Sequence, residues 1–206
     1  MKLFFFCLLA LLSCAGASTQ PTQKKNTSKG LQYFSLAATN SHTAMPCGSF
    51  AALFYEEFHP GVEAGSGFNW SEKKKNDWFQ TLTVGYSYHR FVQHSLMLYT
   101  EAGYRYKFPK GFAANAKLGG GWLFSKEDSK VFVLNSKGDY ELSEKFGRSH
   151  GMATLSLGVN KEIGKKGLQL FMDYQQRFQL SFIAAYVPAL PVNTLGFGLS
   201  IPLHKK

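Results

Sequence analysis

The side chains in this chain that could do chemistry are charged groups at alternate positions along regular segments. In one segment Glu101, Arg105 and Lys107 share one parity, while apolar and aromatic residues share the other. Residues of equal parity point to the same face of a β-strand. The same pattern elsewhere gives a full set of Glu63, Glu101, Arg105, Lys107, Lys117, Asp173 and Arg177. Because the set mixes acids and bases, we expect a network of ion pairs in an enclosed interior, where an unpaired charge would be costly. A narrow path for ions is the alternative.

Histidines form a second group with possible chemistry. His59, His89 and His150 share the parity of the charges and fall near one end of their segments. Clustered imidazoles bind zinc, copper or haem, so a metal-binding mouth is a hypothesis. No tight spacing such as His-x-x-x-His occurs, and we therefore predict no metal and no other cofactor.

Catalytic patterns are weak. Ser149 and His150 are adjacent in sequence, and neighbouring residues of a strand point to opposite faces, which is poor geometry for a nucleophile and its base. The run Gly119-Gly120-Gly121 falls in the middle of a segment, where a phosphate-cradling loop is not expected. We predict that the protein is not an enzyme.

The elements that must position these groups are long alternating strands. The stretch from His94 to Phe124 is predicted to form two strands around Pro109-Lys110-Gly111, with Pro opening a type I turn and Gly taking a positive φ. If Phe108 pairs with Phe112, Lys117 lies opposite Gly103. One side of each strand is apolar and ends in aromatic residues, and the other mixes charges with glycine. This combination is typical of a β-barrel whose apolar side faces lipid.

The rest of the chain repeats the pattern. We predict strands at 31–39, 59–70, 78–89, 94–108, 112–124, 151–163, 168–178 and 194–203. Short turns at 71–77, 109–111 and 164–167 would face the periplasm. Longer loops at 40–58, 125–149 and 181–193 would face outward, and only the reversal at 90–93 departs from that asymmetry. Aromatic residues gather at both ends of the strands, as in interfacial belts. The predicted fold class is an all-β, transmembrane, antiparallel up-and-down β-barrel of about eight strands.

One connection is harder to assign. The predicted loop 40–58 contains the mostly apolar stretch from Ser49 to Tyr55. Its composition fits either a further strand or a short helix.

The beginning of the chain is a targeting segment. Residues 1–17 combine Lys2, an apolar run and small residues before a plausible cleavage site after Ala17, which predicts a secretory signal peptide. Processing at Cys14 as a lipoprotein is the alternative. Residues 18–30 read as a flexible periplasmic leader, and 31–206 as the barrel domain. No later stretch reaches the roughly 18 apolar residues of a spanning helix. After cleavage at Ala17, Cys47 is the only cysteine left, so no disulfide can form within the chain.

The basic charge points to lipid rather than to nucleic acid. The net charge of +10 becomes +9 without Lys2. The lysines concentrate at chain reversals, as in Lys73-Lys74-Lys75, instead of forming a stripe with aromatic residues. Such turns suit anionic lipid headgroups, and we expect outer-membrane lipids and the outer-membrane assembly machinery as partners.

Particular segments carry a family resemblance. They are the signal peptide, His59-Pro60-Gly61, 89–94, 104–112 and 190–193. With them the chain resembles the small outer-membrane barrels of Gram-negative bacteria, the class of the OmpA transmembrane domain, and more closely uncharacterised barrels of Bacteroidota. The resemblance implies an outer-membrane location. Many members end on an aromatic residue, whereas this chain ends Leu203-His204-Lys205-Lys206, and Pro202 removes a donor from the last strand.

The expected function is a non-enzymatic one. We expect a barrel with a sealed polar lumen that has a structural role in the envelope or contacts surface ligands through its loops, chiefly 125–149. A small pore or a binder of metal or lipid at the rim is the alternative. The rival fold is a soluble calyx whose apolar stripe faces inward around a greasy ligand.

Overall fold

The fold is a closed barrel of eight antiparallel strands with a small hairpin inserted in one loop. The computed structural model describes residues 32–43, 51–90, 92–128, 132–134, 138–142, 146–164, 167–183 and 187–203. The strands are β1 (Tyr33–Thr43), β2 (Pro60–Glu72), β3 (Asn76–His89), β4 (Gln93–Lys107), β5 (Phe112–Glu127), β6 (Phe132–Leu134), β7 (Tyr140–Leu142), β8 (Arg148–Ile163), β9 (Leu168–Ile183) and β10 (Val187–Pro202). The barrel closes in the order β1-β10-β9-β8-β5-β4-β3-β2, and β6 pairs only with β7. The predicted fold class is confirmed, while the signal peptide, the leader and Cys47 lie outside the described residues.

The barrel is turned inside out compared with a water-soluble protein. The apolar parity points outward, so that Leu118 is 66% exposed, while Ser156 on the polar parity is fully buried at 0%. This alternation holds around the wall, because side chains of a strand point in turn to the lumen and to the outside. The soluble calyx, the rival fold, requires the opposite arrangement, and that alternative is therefore wrong.

The hairpin of β4 and β5 has the predicted register but not the predicted turn. The amide of Phe108 donates to the carbonyl of Phe112 over 2.8 Å, and Lys117 lies opposite Gly103. Gly111 takes a positive φ of 76°, as expected, but Lys110 also has a φ of 64°. A type I turn needs a φ near −90° at that position, whereas a positive φ there belongs to type II. The predicted type I turn is therefore wrong.

The predicted loop 125–149 contains strand residues at both ends and a short hairpin between them. β5 runs on to Glu127 and β8 begins at Arg148, and an ion pair of 2.5 Å joins these two end residues. Between them lies the β6–β7 hairpin. The sequence shows no apolar alternation here because the strands extend beyond the apolar band, where both faces are polar or exposed.

The predicted loop 181–193 is wrong for another reason. β9 continues to Ile183 and β10 starts at Val187, so only a short connection joins them. The loop was predicted because the segment contains two prolines, but neither interrupts the sheet. Pro188 lies at a register shift, and Pro191 lies beyond the last pair of β10 with β1, which is Thr43 with Val192. Proline is tolerated at bulges and at unpaired edges. Pro202 likewise stands at the end of β10.

The strand ends differ in their connections. At the end opposite the termini, two connections are long, 44–59 and 128–147, and two are short, 90–92 and 184–186. The predicted pattern of long connections at this end of the barrel therefore holds for two of the four. Within 40–58, of which residues 44–50 are outside the description, β1 extends to Thr43 and a short helix spans Ala52–Tyr55.

Among the described residues, no helix combines the length and the apolar character needed to cross a membrane.

Candidate functional site in the barrel lumen

Lys117 of β5 is the centre of the lumen charges. Its Nζ lies 2.7 Å from a carboxylate oxygen of Asp173 on β9 and 3.5 Å from one of Glu101 on β4. Glu101 is buried and also accepts hydrogen bonds from Ser156 at 2.6 Å and from Gln175 at 3.3 Å. Lys117, Glu101 and Asp173, all expected inside, are brought together here, and each charge has an opposite charge or donors beside it.

Glu63 joins this group through neutral partners. The hydroxyl of Tyr99 donates to Glu63 over 2.9 Å and accepts from the amide of Gln175 over 3.3 Å. Hydrogen bonds to a carboxylate replace part of the hydration that it loses on burial. The chain of contacts from Glu63 to Glu101 therefore crosses the lumen from β2 to β4 by way of β9.

Arg177 bonds to hydroxyl groups instead of to a carboxylate. Its guanidinium donates to Thr194 over 3.0 Å and to Ser41 over 3.4 Å, and it also contacts the sulfur of Met97. Among the described residues it makes no ion pair within hydrogen-bond distance, although it was expected in the ion-pair network.

The two remaining charges lie towards the turn end of the barrel, where β1 begins, β10 ends and the turn 109–111 lies. Arg105 stacks over Phe79, with its guanidinium carbon 4.5 Å from the ring centre. Lys107 pairs with Asp77 at 2.8 Å and with Glu72 at 3.6 Å. The sequence reading passed over Asp77, a buried carboxylate, although it falls on the inward parity of β3.

An apolar cluster lies in the lumen on the loop side of these charges. We call it the plug: Met97 and Tyr99 of β4, Leu123 of β5 and Met152 of β8, all buried. Met97 and Leu123 are direct partners across β4 and β5. Sequence reasoning assigned Tyr99 to the inward parity but missed Met97, Leu123 and Met152, because each has apolar neighbours in the sequence. The signal was their parity, which is the inward one.

Two small cavities adjoin the plug in the lumen. Two cavities have volumes of about 70 and 30 Å³, and Tyr99 borders both. The larger extends towards the turn end, where Tyr33 and Ser200 line it. Because a water needs roughly 10–15 Å³ of such space, the cavities have room for a few waters.

The expected histidine cluster forms only in part. His59 and His89 stack with ring centres 3.7 Å apart, and His42 lies 6.4 Å from His59. His150 lies instead against Ser125 at 2.9 Å, on β8, which β4 and β5 separate from β3. Within the described ranges, no three His, Cys, Asp or Glu side chains are placed to hold a metal ion. Burial lowers the pKa of His59, which favours its neutral form.

A serine motif at the start of β8 does not build a catalytic centre. Residues 147–151 read Gly-Arg-Ser-His-Gly, the Gly-x-Ser-x-Gly spacing of hydrolases, which the sequence reasoning overlooked. That motif works on a sharp turn between a strand and a helix. Here it enters a strand, with Ser149 exposed and His150 buried on the other face. His150 contacts Ser125 instead, and both are so deeply buried that a substrate would have no access.

Comparisons with known proteins bear on the fold. No family profile and no curated protein matches the sequence. Among solved structures, Neisserial surface protein A is similar, with a TM-score of 0.53 and 11% identity over 84% of this chain and 99% of that one. The outer membrane enzyme PagL has a TM-score of 0.48 and 11% identity over 83% of this chain and 99% of its own. Ail of Yersinia pestis has a TM-score of 0.44 and 11% identity over 84% of this chain and 97% of its own.

The chain therefore has the fold of the small outer-membrane β-barrels, as the resemblance implied. At such low identity the likeness concerns the fold alone. The closer resemblance to Bacteroidota barrels is not supported by these comparisons and stays a prediction.

Proposed function

We propose that this protein is an integral barrel of a Gram-negative outer membrane with a sealed lumen, acting in the envelope or at the cell surface through its loops. The observation that carries the proposal is the inverted wall: apolar side chains cover the outside, and most of the side chains that line the inside are polar or charged. In water this arrangement would expose a very large apolar surface, whereas lipid tails would cover it. Outer-membrane lipids are then the first partner, and assembly machinery of that membrane inserts the chain.

Aromatic pairs at both ends support a membrane position. At the turn end Trp78 packs on Tyr104, with ring centres 5.2 Å apart, and Lys161 lies 4.3 Å from the ring of Phe112. At the loop end Trp122 and Phe124 lie 6.1 Å apart. Aromatic rings with cations beside them favour the headgroup region, and two such belts mark the faces of a bilayer.

The lumen supports a sealed barrel rather than a pore. The plug occupies the section on the loop side, and the paired charges around Lys117 occupy the middle. Eight strands leave an interior just wide enough for side chains. Single-channel recording in planar bilayers tests this point: we expect no stable open state, and a steady conductance would favour the pore.

A surface role is supported by the inserted hairpin. β6 and β7 stand outside the barrel sheet and carry the exposed side chains Phe132, Tyr140 and Leu142. Phe146 follows, with its ring 5.3 Å from the ammonium of Lys126. Exposed apolar side chains next to cations are common in protein–protein contacts. This role is a binding one and requires no catalytic group.

The topology is tested by labelling on whole cells. In a background without the native cysteines, a cysteine at Asp128 and another at Lys74 are treated with a thiol reagent that does not cross membranes. We expect only Asp128→Cys to react on intact cells, and both to react after lysis. Labelling of Lys74→Cys alone on intact cells would reverse the orientation.

A further inference from the structure

One part of the outer wall is buried although it faces away from the lumen. Asn193 is 1% exposed and Leu195 is 5% exposed, yet both share the parity of the exposed Phe197 on β10. Gln176, the partner of Asn193 on β9, is also buried. Lipid cannot account for this burial, since the chain alone produces it. A segment of the protein must cover the wall at this point.

The described part of the connection from β1 to β2 lies against this part of the wall. We call residues 51–59 the flap. Its helix, Ala52–Tyr55, contacts β1 and β10, and its Leu53 side chain is buried. The side chain of Asn40, which points outward from β1, donates to the carbonyl of Leu53 over 2.9 Å. Asn40 also accepts from the amide of His59 over 2.9 Å. One outward asparagine thus holds both ends of the flap against the wall.

The two acidic residues of the flap contact basic side chains of the barrel. Glu56 lies 2.9 Å from Nε2 of His42, and Glu57 lies 2.5 Å from the guanidinium of Arg90. Both partners belong to the loop end of the barrel. The acidic groups of the flap are therefore turned to basic side chains of the barrel.

What the flap leaves on its outside is aromatic. Phe54, Phe58 and Tyr55 are exposed, the last at 74%. This aromatic side borders on the apolar wall, because the next outward residue on β10 after the covered Leu195 is the exposed Phe197. The apolar surface that faces lipid is thus continuous with the aromatic surface of the flap.

We propose that the aromatic side of the flap docks into the headgroup region of the outer lipid leaflet, beside β1 and β10. Aromatic side chains favour that region of a bilayer. The flap also has a shielding role: the side-chain amide of Asn193 has no hydrogen-bond partner in the described structure, and facing hydrocarbon would be costly for it. The inference rests on the proposed membrane location, and its occupant is lipid rather than a protein ligand.

Spin labels in phosphatidylcholine vesicles test the inference. The full chain, with its native cysteines replaced by serine, carries a label at Tyr55, Leu98 or Tyr140. Leu98 reports the barrel wall, and Tyr140 is a matched tyrosine that is exposed on the β6–β7 hairpin. Collision with oxygen and with a water-soluble nickel chelate is measured at each site.

We expect the oxygen-to-nickel ratio at Tyr55 to exceed that at Tyr140 severalfold and to lie below that at Leu98, because the headgroup region lies between water and hydrocarbon. A ratio at Tyr55 equal to that at Tyr140, with Leu98 still in lipid, overturns the docking of the flap and leaves the barrel in the membrane. Nickel access at Leu98 equal to that at Tyr140 overturns the membrane location itself, and the flap inference with it.

Discussion

Met97 and Leu123 face each other across β4 and β5 inside the lumen, where a membrane barrel would ordinarily place polar residues. Both are almost fully buried, and with Tyr99 and Met152 they pack as a compact apolar cluster. The barrel thus has two apolar regions of different kinds: an outer wall that requires lipid, and a small inner plug held by packing within the chain.

The plug should contribute to stability in proportion to its burial. We expect Leu123→Ala to lower the free energy of unfolding by about 2–5 kcal/mol, because the substitution leaves a cavity that the strands cannot close. Urea titration in detergent micelles, followed by the gel shift of the folded barrel, measures the change. Leu118→Ala on the outer face of the same strand is the control and should cost clearly less. Equal losses would contradict a packed plug.

Removing the central cation should leave two carboxylates without compensation. We expect Lys117→Met to destabilise the barrel by about 3–5 kcal/mol, since the buried Glu101 and the partly buried Asp173 then lose the cation between them. Adding Asp173→Asn to this variant should recover part of the loss, because one carboxylate is then neutral. The same titration measures both variants, and Lys110→Met in the exposed turn is the control. A double variant that is less stable than the single variant would contradict the pairing.

Gly158 should be irreplaceable by alanine. It lies opposite Asp173 on the neighbouring strand, and a methyl group there would collide with the carboxylate oxygen of Asp173. We expect Gly158→Ala to push that carboxylate away from Lys117 and to lower stability by about 1–3 kcal/mol, as overpacking does. Gly196→Ala is a matched control, since the nearest atom to its added methyl is 3.4 Å away. The denaturation midpoints of the two variants should differ, and coincident midpoints would refute the collision.

The barrel was predictable because alternation is a period-two signal that every strand repeats. Leu98 and Glu101 could be assigned to opposite faces without any knowledge of the tertiary structure. Strand ends were less predictable. Beyond the apolar band, residues such as Glu127 and Arg148 pair across polar strands that no longer alternate in hydropathy.

The sequence could predict which side chains point into the lumen but not which of them contact one another. The inward parity placed Lys117 correctly opposite Gly103, yet parity alone does not say how far a side chain reaches across the lumen. Contacts such as Lys117 with Asp173 span strands that are not neighbours. The flap was unpredictable for a similar reason, since Asn40 holds it through backbone groups that carry no sequence signal.

The rim histidines predict a loss of stability in acid. Burial lowers the pKa of His59 from its ordinary value near 6.5, and the ring of His89 stacks on it at 3.7 Å. The unfolded chain therefore binds a proton more readily than the folded one as the pH falls through the ordinary pKa. The stability that neutral His59 provides is fully present above pH 6.5 and decreases as the pH falls towards its folded-state pKa. We expect the unfolding midpoint of the wild type to fall between pH 7.5 and pH 5, and that of His59→Gln to fall less. Thermal unfolding in micelles at the two pH values measures the difference, with Asn76→Gln at the opposite end of the barrel as the control. An identical pH dependence in His59→Gln and the wild type would show that protonation of this imidazole does not oppose folding.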